Sequence, residues 1–337
     1  MVAMTAQVSI VGAGAVGIVL ADVLSRAGVE IELVVRQARV AELNQRGVWL
    51  KWEQRSVQPV KVPVVTRASA PVVVLTVKSF ALPQAIAEHV SGRGAETQVV
   101  ALQNGLTADR VLRDKAPNVS RIGGIVSFTA TSLRPGEAAV MARGPKDLHL
   151  ALGCDDGDVS ELSAFALLGK GLSVAKVQSL EGARWTKLIV NLNNGLLAAT
   201  KQPASRFFAH PYGAFVAARA VREGLNVAHA SGAQLESLPW TSALSLALMR
   251  AMPLSLAIVL LRRHAQQFVE AEQDTYGSTL QSVLKGEPTE IEELNGAIVR
   301  LAAPLQVPAP INQAVTNAVN GLSRGEPALT VDALAAL

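Results

Sequence analysis

Apolar residues run in short continuous blocks over the first half of the chain and recur at helical spacing over the second. Residues 8–11 form a block of strand length that leads into Gly12-Ala13-Gly14-Ala15-Val16-Gly17. Val16, Val19, Leu20, Val23 and Leu24 then recur at intervals of one helical turn, which predicts a helix that Gly28 ends. Residues 29–35 predict a second strand, with Ile31, Leu33 and Val35 alternating with Glu30, Glu32 and Val34. The uninterrupted apolar runs 72–77 and 98–102 suit parallel strands covered on both faces. Shorter strands are predicted at 119–126, 138–141, 148–152 and 172–177, extending the same sheet to an end near residue 178.

Beyond residue 180 strand signals vanish, and Ala- and Leu-rich periodicity predicts helices at 183–200, 212–231, 241–274, 276–285 and 289–303. The pattern therefore describes an α/β N-terminal Rossmann-type dinucleotide-binding domain over 1–178 and an all-α C-terminal domain over 179–337. A GxGxxG run alone would be weak support. Here a strand precedes it, a helix follows it and a second strand comes within about thirty residues. In that setting Gly12 permits the tight turn, Gly14 lets the backbone approach a pyrophosphate, and Gly17 lets the helix pack on the strand. The first helical turn, with Ala13, Ala15 and Val16, offers N–H groups and a positive dipole end to phosphates. The plainer alternative is a turn that only joins strand to helix.

Composition narrows the function. A length of 337 residues suggests about two domains. Hydrophobic residues at 50% against charged ones at 17% exclude disorder for most of the chain. The mean hydropathy of +0.30 raises the question of a membrane span. The best candidate, 243–261, is broken by Arg250 and Pro253, so it reads as a buried or interface helix, with no membrane partner expected. A net charge of +4, spread along the chain, and 4% aromatics argue against a nucleic-acid partner. The single Cys154 cannot form an intramolecular disulfide, and CxxC and HExxH are absent, which points to a reducing, cytoplasmic setting and no metal site.

Polar residues that follow the strands carry the candidate chemistry. An NAD enzyme usually ends its second strand in Asp or Glu, which binds the ribose 2′-OH. This chain has Arg36 there, with Arg39 nearby and no acid before Glu42, which suits a 2′-phosphate and therefore NADP(H). An ordinary solvated arginine is the alternative. Lys78 and the Gln103-Asn104-Gly105 turn follow two buried strands, where ligands of open α/β sheets bind. In the helical half, Lys187, Asn191 and Asn194 are spaced i, i+4, i+7 and share one face amid Leu188, Ile189, Val190 and Leu192. A solvated helix face accounts for these three as well as a site does.

Taken together, the glycine motif, Arg36, Thr76-Val77-Lys78, Leu102 to Gly105, Trp185-x-Lys187-Leu188 with Asn191, Ser278-Thr279-Leu280-Gln281, and Pro288-Thr289-Glu290-Ile291-Glu292 with Asn295-Gly296 resemble the ketopantoate reductase (2-dehydropantoate 2-reductase) family in order and spacing. The resemblance runs from about residue 8 to residue 315. It implies NADPH-dependent reduction of the 2-oxo group of ketopantoate to pantoate, a step toward pantothenate and coenzyme A. It also implies that Lys187 is the general acid and Glu290 the second catalytic residue. Asn191 and Ser278 would hold the substrate, Lys78 and Asn104 would line cofactor and substrate, and Arg36 would meet the 2′-phosphate.

Chemistry is consistent with these roles. Hydride addition to a ketone leaves charge on oxygen, which an ammonium can neutralise and protonate. A lysine of ordinary pKa, about 10.4, is protonated at neutral pH, and Glu290 nearby would favour that form. Ser278, Asn191 or Asn194 can donate to a substrate carboxylate. Glu290 after Pro288 also fits a plain helix-start role.

Two departures stand out. Where the family commonly has a second asparagine, this chain has Gly195, with Asn194 one position earlier and about 100° away around the helix. The apolar segment 241–261 is larger than a compact member needs, and could form a dimer surface or cover the site. Reduction of a different 2-oxo acid or ketone by the same chemistry therefore stays open, as does a non-catalytic NADPH-binding sensor.

Overall fold

The computed structural model describes residues 5–337 apart from 54, 156, 270–273 and 275. The chain divides into two compact units, one comprising residues up to Gln103 with Thr107–Leu180, the other Asn104–Leu106 with Glu181–Leu337.

In chain order the first unit contains β1 (Val8–Val11), α1 (Ala15–Arg26), β2 (Ile31–Val34), α2 (Gln37–Arg46), β3 (Trp49–Trp52), β4 (Arg55–Ser56), β5 (Val64–Val65) and β6 (Val72–Leu75). It continues with α3 (Leu82–His89), β7 (Gln98–Ala101), α4 (Ala108–Lys115), β8 (Ser120–Val126), β9 (Ala130–Arg134), β10 (Glu137–Val140), β11 (His149–Cys154), α5 (Ser163–Gly169) and β12 (Ser173–Lys176). Eight strands form one sheet in the order β12-β11-β8-β7-β6-β1-β2-β5. From β5 to β8 it is parallel throughout, whereas β11 runs antiparallel to β8 and carries β12 with it.

Apolar runs in this sheet are buried on both faces, as its parallel strands require. Val8, Ile10, Val72 and Val74 pack into one cluster with Ile18 and Leu20 of α1, while Val11, Val73, Leu75 and Val99 pack into another with Leu82 and Ile86 of α3. Glu32, which the alternation of β2 sets among apolar neighbours, is itself buried, and accepts hydrogen bonds from the Ser9 and Ser69 hydroxyls.

One strand prediction needs correction. Residues 138–141 do form a strand, but β10 does not extend the main sheet. It pairs with β3 and β9 in a separate four-stranded sheet, order β4-β3-β10-β9. A run of Ala and Val specifies extended structure and burial, and leaves the pairing partner open. Here the partner is set by the β9–β10 hairpin, whose turn contains Gly136 at φ +76°.

The second unit contains α6 (Leu180–Ala199), α7 (Ala204–Ala209), α8 (Gly213–Ala230), α9 (Ala243–Ala251), α10 (Leu254–Val269), α11 (Ser278–Leu284), α12 (Asn295–Leu305), α13 (Pro310–Leu322) and α14 (Val331–Ala335). The periodic stretch 241–274 is two helices and not one, and 270–273 lie outside the described residues. Pro253 lacks an N–H and disfavours helical backbone at the residue before it, so Met252 is extended (φ −72°, ψ 160°) and α9 ends there. The stretch 289–303 likewise begins as a short 3₁₀ turn over Ile291–Glu293 before α12.

Helix α6 serves two clusters. Trp185, Leu188, Ile189 and Leu192 pack with Leu225 and Ile298, and Leu196 to Ala199 pack with Phe207, Val216 and Ile311. A Cβ on Gly224 would lie 2.6 Å from Leu192 Cδ1, which is why α8 can approach α6 so closely. Among the described residues no helix is long and apolar enough to cross a membrane.

Candidate functional site

In the parallel sheet, Val8 is in register with both Ile31 and Val72, and Val72 with Gln98. The carboxyl ends of β1, β2, β6 and β7 are therefore level. The chain passes from β1 to β2 on one side and later returns to β6 on the other, which makes the gap between β1 and β6 the topological switch point.

The glycine turn sits there. Gly12 has φ +110°, a conformation that side-chain-bearing residues rarely adopt, and its N–H donates to Val34 O at 3.0 Å. The Thr76 hydroxyl, just beyond β6, donates to Val11 O and Gly12 O at 2.9 Å each, tying the two strand ends together. A Cβ on Gly17 would lie 1.9 Å from Gly12 O, so this position admits only glycine without opening the turn. Gly14 is the opposite case. It is exposed, a Cβ there would meet nothing within 4 Å, and it precedes a helix whose first N–H groups have no side-chain cap and no acid in the first turn. Open space in front of uncapped, positively polarised N–H groups fits a pyrophosphate.

Arg36 lies two residues beyond β2, exposed, at the start of α2 with extended backbone (φ −62°, ψ 146°). No acid pairs with it among the described residues, whereas Arg39 faces Glu42 at 3.7 Å. Lys78 follows β6 in the same way, extended and partly buried. Gln103, buried after β7, donates from Nε2 to Leu75 O and Val77 O at 2.9 Å each. It fixes the end of β6 and starts the turn that presents Asn104, a structural part that its polar character alone did not reveal.

In the second unit, α6 brings several of the predicted residues together. Asn191, buried, donates from Nδ2 to Asn104 Oδ1 at 3.1 Å, which joins two asparagines 87 positions apart. Gly105, at φ +88°, lies against Glu293, where a Cβ would be 2.7 Å from the Glu293 carbonyl oxygen. That contact places the Asn104 turn beside the segment that begins with Glu290. Asn194 lies against Gly277, whose Cβ would be 2.6 Å from Asn194 Oδ1, so it neighbours Ser278, the first residue of α11.

Lys187 is partly buried, and loss of water around its ammonium pulls its pKa down from the usual lysine range to about 8. Desolvation is the whole cause, and no carboxylate among the described residues pairs with it. This differs from an ordinary lysine held charged by Glu290: burial governs this amine. Glu290 is itself buried, just before the 3₁₀ turn, and its side chain makes no capping bond to that turn.

Sequence reading also missed a buried polar chain behind α6. Glu223 of α8 accepts from the N–H groups of Ile311 and Asn312 at 3.0 Å each, capping α13 from a different helix. Asn312 Nδ2 donates to Ala220 O at 3.0 Å and to Glu223 Oε2 at 2.8 Å. Asn295 Nδ2 donates to Asn312 Oδ1 at 2.9 Å and to Leu192 O at 3.2 Å. Burial pushes the Glu223 carboxyl up, against the pull of its bonds to Asn312 and Ile311. A signal was present: Val216, Ala220, Glu223 and Val227 fall on one helical stripe, which holds a lone carboxylate among apolar residues. Asn295 also explains Gly195. A Cβ at 195 would lie 2.1 Å from Asn295 Oδ1, so the buried amide fills the space beside that position.

Comparison with known proteins agrees with this architecture. A relative from Pyrococcus horikoshii named 2-dehydropantoate 2-reductase is 25% identical over 314 residues, covering 91% of this chain and 94% of its own. One of the same name from Pyrobaculum aerophilum is 27% identical over 312 residues, covering 92% and 95%. Among solved structures, a PanE/ApbA family ketopantoate reductase from Ralstonia eutropha superposes with TM-score 0.77 at 27% identity, covering 94% of this chain and 98% of that one. A D-mandelate dehydrogenase bound to NADH and anilino(oxo)acetate shares the fold with TM-score 0.75 at 21% identity, covering 94% and 98%. Residues 8–151 match the family described as ketopantoate reductase PanE/ApbA, and residues 179–323 match its C-terminal part. With both halves matched in order over most of its length, the chain belongs to the ketopantoate reductase family.

Proposed function

We propose that this protein is an NADP-dependent oxidoreductase that reduces 2-dehydropantoate (ketopantoate) to pantoate. Residues Gly12 to Gly17 would hold the pyrophosphate, Arg36 the 2′-phosphate, and Lys78 and Asn104 the nicotinamide end. The fit rests on the side-chain-free space at Gly14 and the uncapped start of α1. Reduced nicotinamide, when bound, supplies the hydride for the 2-oxo carbon.

The chain's own residues do the rest. Lys187 is the general acid: its ammonium faces the carbonyl oxygen, stabilises the charge that develops there and gives it a proton. A pKa of about 8 keeps the group mostly protonated at pH 7 while making it a better proton donor than an ordinary lysine. Asn191, Asn194 and Ser278 donate to the substrate carboxylate and hydroxyl, and Asn104, held by Asn191, is shared between substrate and cofactor. Glu290 orients the substrate and completes the catalytic pair. The observation that carries this reading is the grouping, within one unit, of a desolvated lysine with the bonded Asn191–Asn104 pair on the face predicted for it. Gly195 favours a second reading, reduction of a different 2-oxo acid, because one polar group common in the family is missing there.

A steady-state screen of 2-oxo acids with NADPH and NADH tests the proposal. The expected result is turnover of ketopantoate with NADPH preferred. Faster turnover of another 2-oxo acid would select the second reading, and oxidation of neither cofactor with any of them would sink both.

A further inference from the structure

Lys187 and Asn191 on one side and Glu290 on the other come from segments about a hundred residues apart, and the mutual placement of these segments has a specific cause. Asn295 begins α12 five residues after Glu290, and is fully buried. One hydrogen of its side-chain amide goes to Leu192 O, the residue beside Asn191, and the other goes to Asn312 Oδ1. Asn312, also fully buried, uses both of its amide hydrogens on α8, at Ala220 O and the Glu223 carboxylate. Four helices are thus fastened through two asparagines whose donors are all used. In an apolar interior such bonds are strong, and breaking one leaves a desolvated polar group.

Gly195 belongs to the same device. A Cβ at this position of α6 would strike the Asn295 amide oxygen (2.1 Å) and Val315 Cγ1 (2.8 Å). Glycine in a helix interior is unfavourable relative to alanine, so its presence has to be compensated by what it makes room for.

Building on the function proposed above, we infer that Asn295 is a positioning residue, seated by Gly195 and anchored through Asn312 to Glu223, which sets helix α6 and its Lys187–Asn191 face relative to the Glu290 segment. It touches none of the reacting atoms. Its effect passes through the Leu192 carbonyl and the helix that carries it.

Two substitutions test this from opposite sides. Asn295→Ala removes the amide, and Gly195→Ala keeps the amide but displaces it while raising the intrinsic helix propensity of α6. In both variants kcat for the 2-oxo acid should fall about tenfold or more, as expected when a catalytic group is misplaced, with the NADPH Kd within about twofold of the parent. Reductive ¹³C-methylation gives a readout independent of turnover. The Lys187 signal should titrate near 8 in the parent and move upward in both variants as water reaches the amine.

A variant that folds by circular dichroism with kcat within about threefold of the parent and an unmoved Lys187 titration would overturn the inference. If Asn295→Ala fails to fold, Gly195→Ala decides alone. Loss of fold in both would make the pair a fold requirement only, and also overturn it. If the parent reduces no 2-oxo acid, the functional reading falls, and the lysine titration still decides whether Asn295 positions α6.

Discussion

The nucleotide turn of the first unit and the Lys187 face of the second solve different problems with opposite means. At the turn, the proposed recognition would depend on missing side chains: Gly12 supplies a left-handed backbone, Gly14 clears space, and Gly17 lets α1 touch the Gly12 carbonyl. In the proposed function backbone N–H groups would do the binding, and their placement follows from the sheet register. On α6 the proposed chemistry would belong to side chains, and their properties depend on surroundings that come from elsewhere in the unit. Lys187 is an unusual amine because it is desolvated, and Asn191 is directed because Asn104 receives its hydrogen. A site made of backbone is set by local spacing. A site made of side chains is set by packing.

Substitutions should separate the two. Lys187→Ala is expected to have the largest effect, lowering kcat by roughly 10²- to 10⁴-fold, the usual range for loss of general acid–base catalysis, while the NADPH Kd measured by fluorescence titration stays near the parent value. Near-parental turnover would remove Lys187 from the chemistry. Gly17→Ala should do the reverse. Its Cβ would fall 1.9 Å from Gly12 O, so the turn must open, and overpacking of this kind costs about 1–3 kcal/mol. The expected outcome is a lower Tm and NADPH affinity weaker by about tenfold or more, with residual kcat at saturating cofactor largely preserved. A parental NADPH affinity would show that the close approach of α1 to Gly12 is not needed for binding.

Arg36 tests one of the side chains, with Lys78, on which the proposed cofactor site of the first unit relies. The guanidinium is exposed and has no acidic partner among the described residues, while neighbouring Arg39 is shared with Glu42. A hydrogen bond to a charged group contributes about 1.5–3 kcal/mol, so Arg36→Ala should raise the NADPH Kd by roughly ten- to a hundredfold and leave the NADH Kd almost unchanged. Equal losses for both cofactors would place the 2′-phosphate elsewhere.

The same contrast decides what could be read in the sequence. The strand–glycine–helix–strand unit was legible because each of its requirements is local: apolar run, glycine spacing, helical period. The pairing of β10 was not, since Ala138 and Val140 specify burial without naming a neighbour, and β3 supplies it from 88 positions earlier. Residues 310–322 escaped prediction as a helix although they form a core element. Their apolar positions Ile311, Val315 and Val319 are interspersed with Asn312, Gln313 and Thr316, and the helix depends on Glu223 for its N-terminal cap. Lys187, Asn191, Ser278 and Glu290 could be named from their motif, but the partnership of Asn191 with Asn104 and the low pKa of Lys187 could not. Both depend on folded surroundings.

The pH dependence gives the smallest effect and the sharpest test of the packing argument. A lysine whose pKa is lowered by burial is protonated less readily in the folded protein than in the unfolded chain. Its contribution therefore destabilises the fold below pH 8, where it must be charged in a poorly hydrated place, and this cost is relieved as pH rises from about 8 toward the ordinary lysine value near 10.4. Catalysis runs the other way, because a general acid works only while protonated. The kcat/KM for the 2-oxo acid should fall by about half between pH 7 and pH 8 and continue down with the slope of one proton, with an apparent pKa near 8. From about pH 8 toward pH 10.4 the Tm of the parent should rise relative to that of Lys187→Met, which has no amine to desolvate. An activity limb near 10, with no relative change in Tm, would mean that water reaches Lys187 freely, and the contrast between a site set by spacing and a site set by burial would lose its main support.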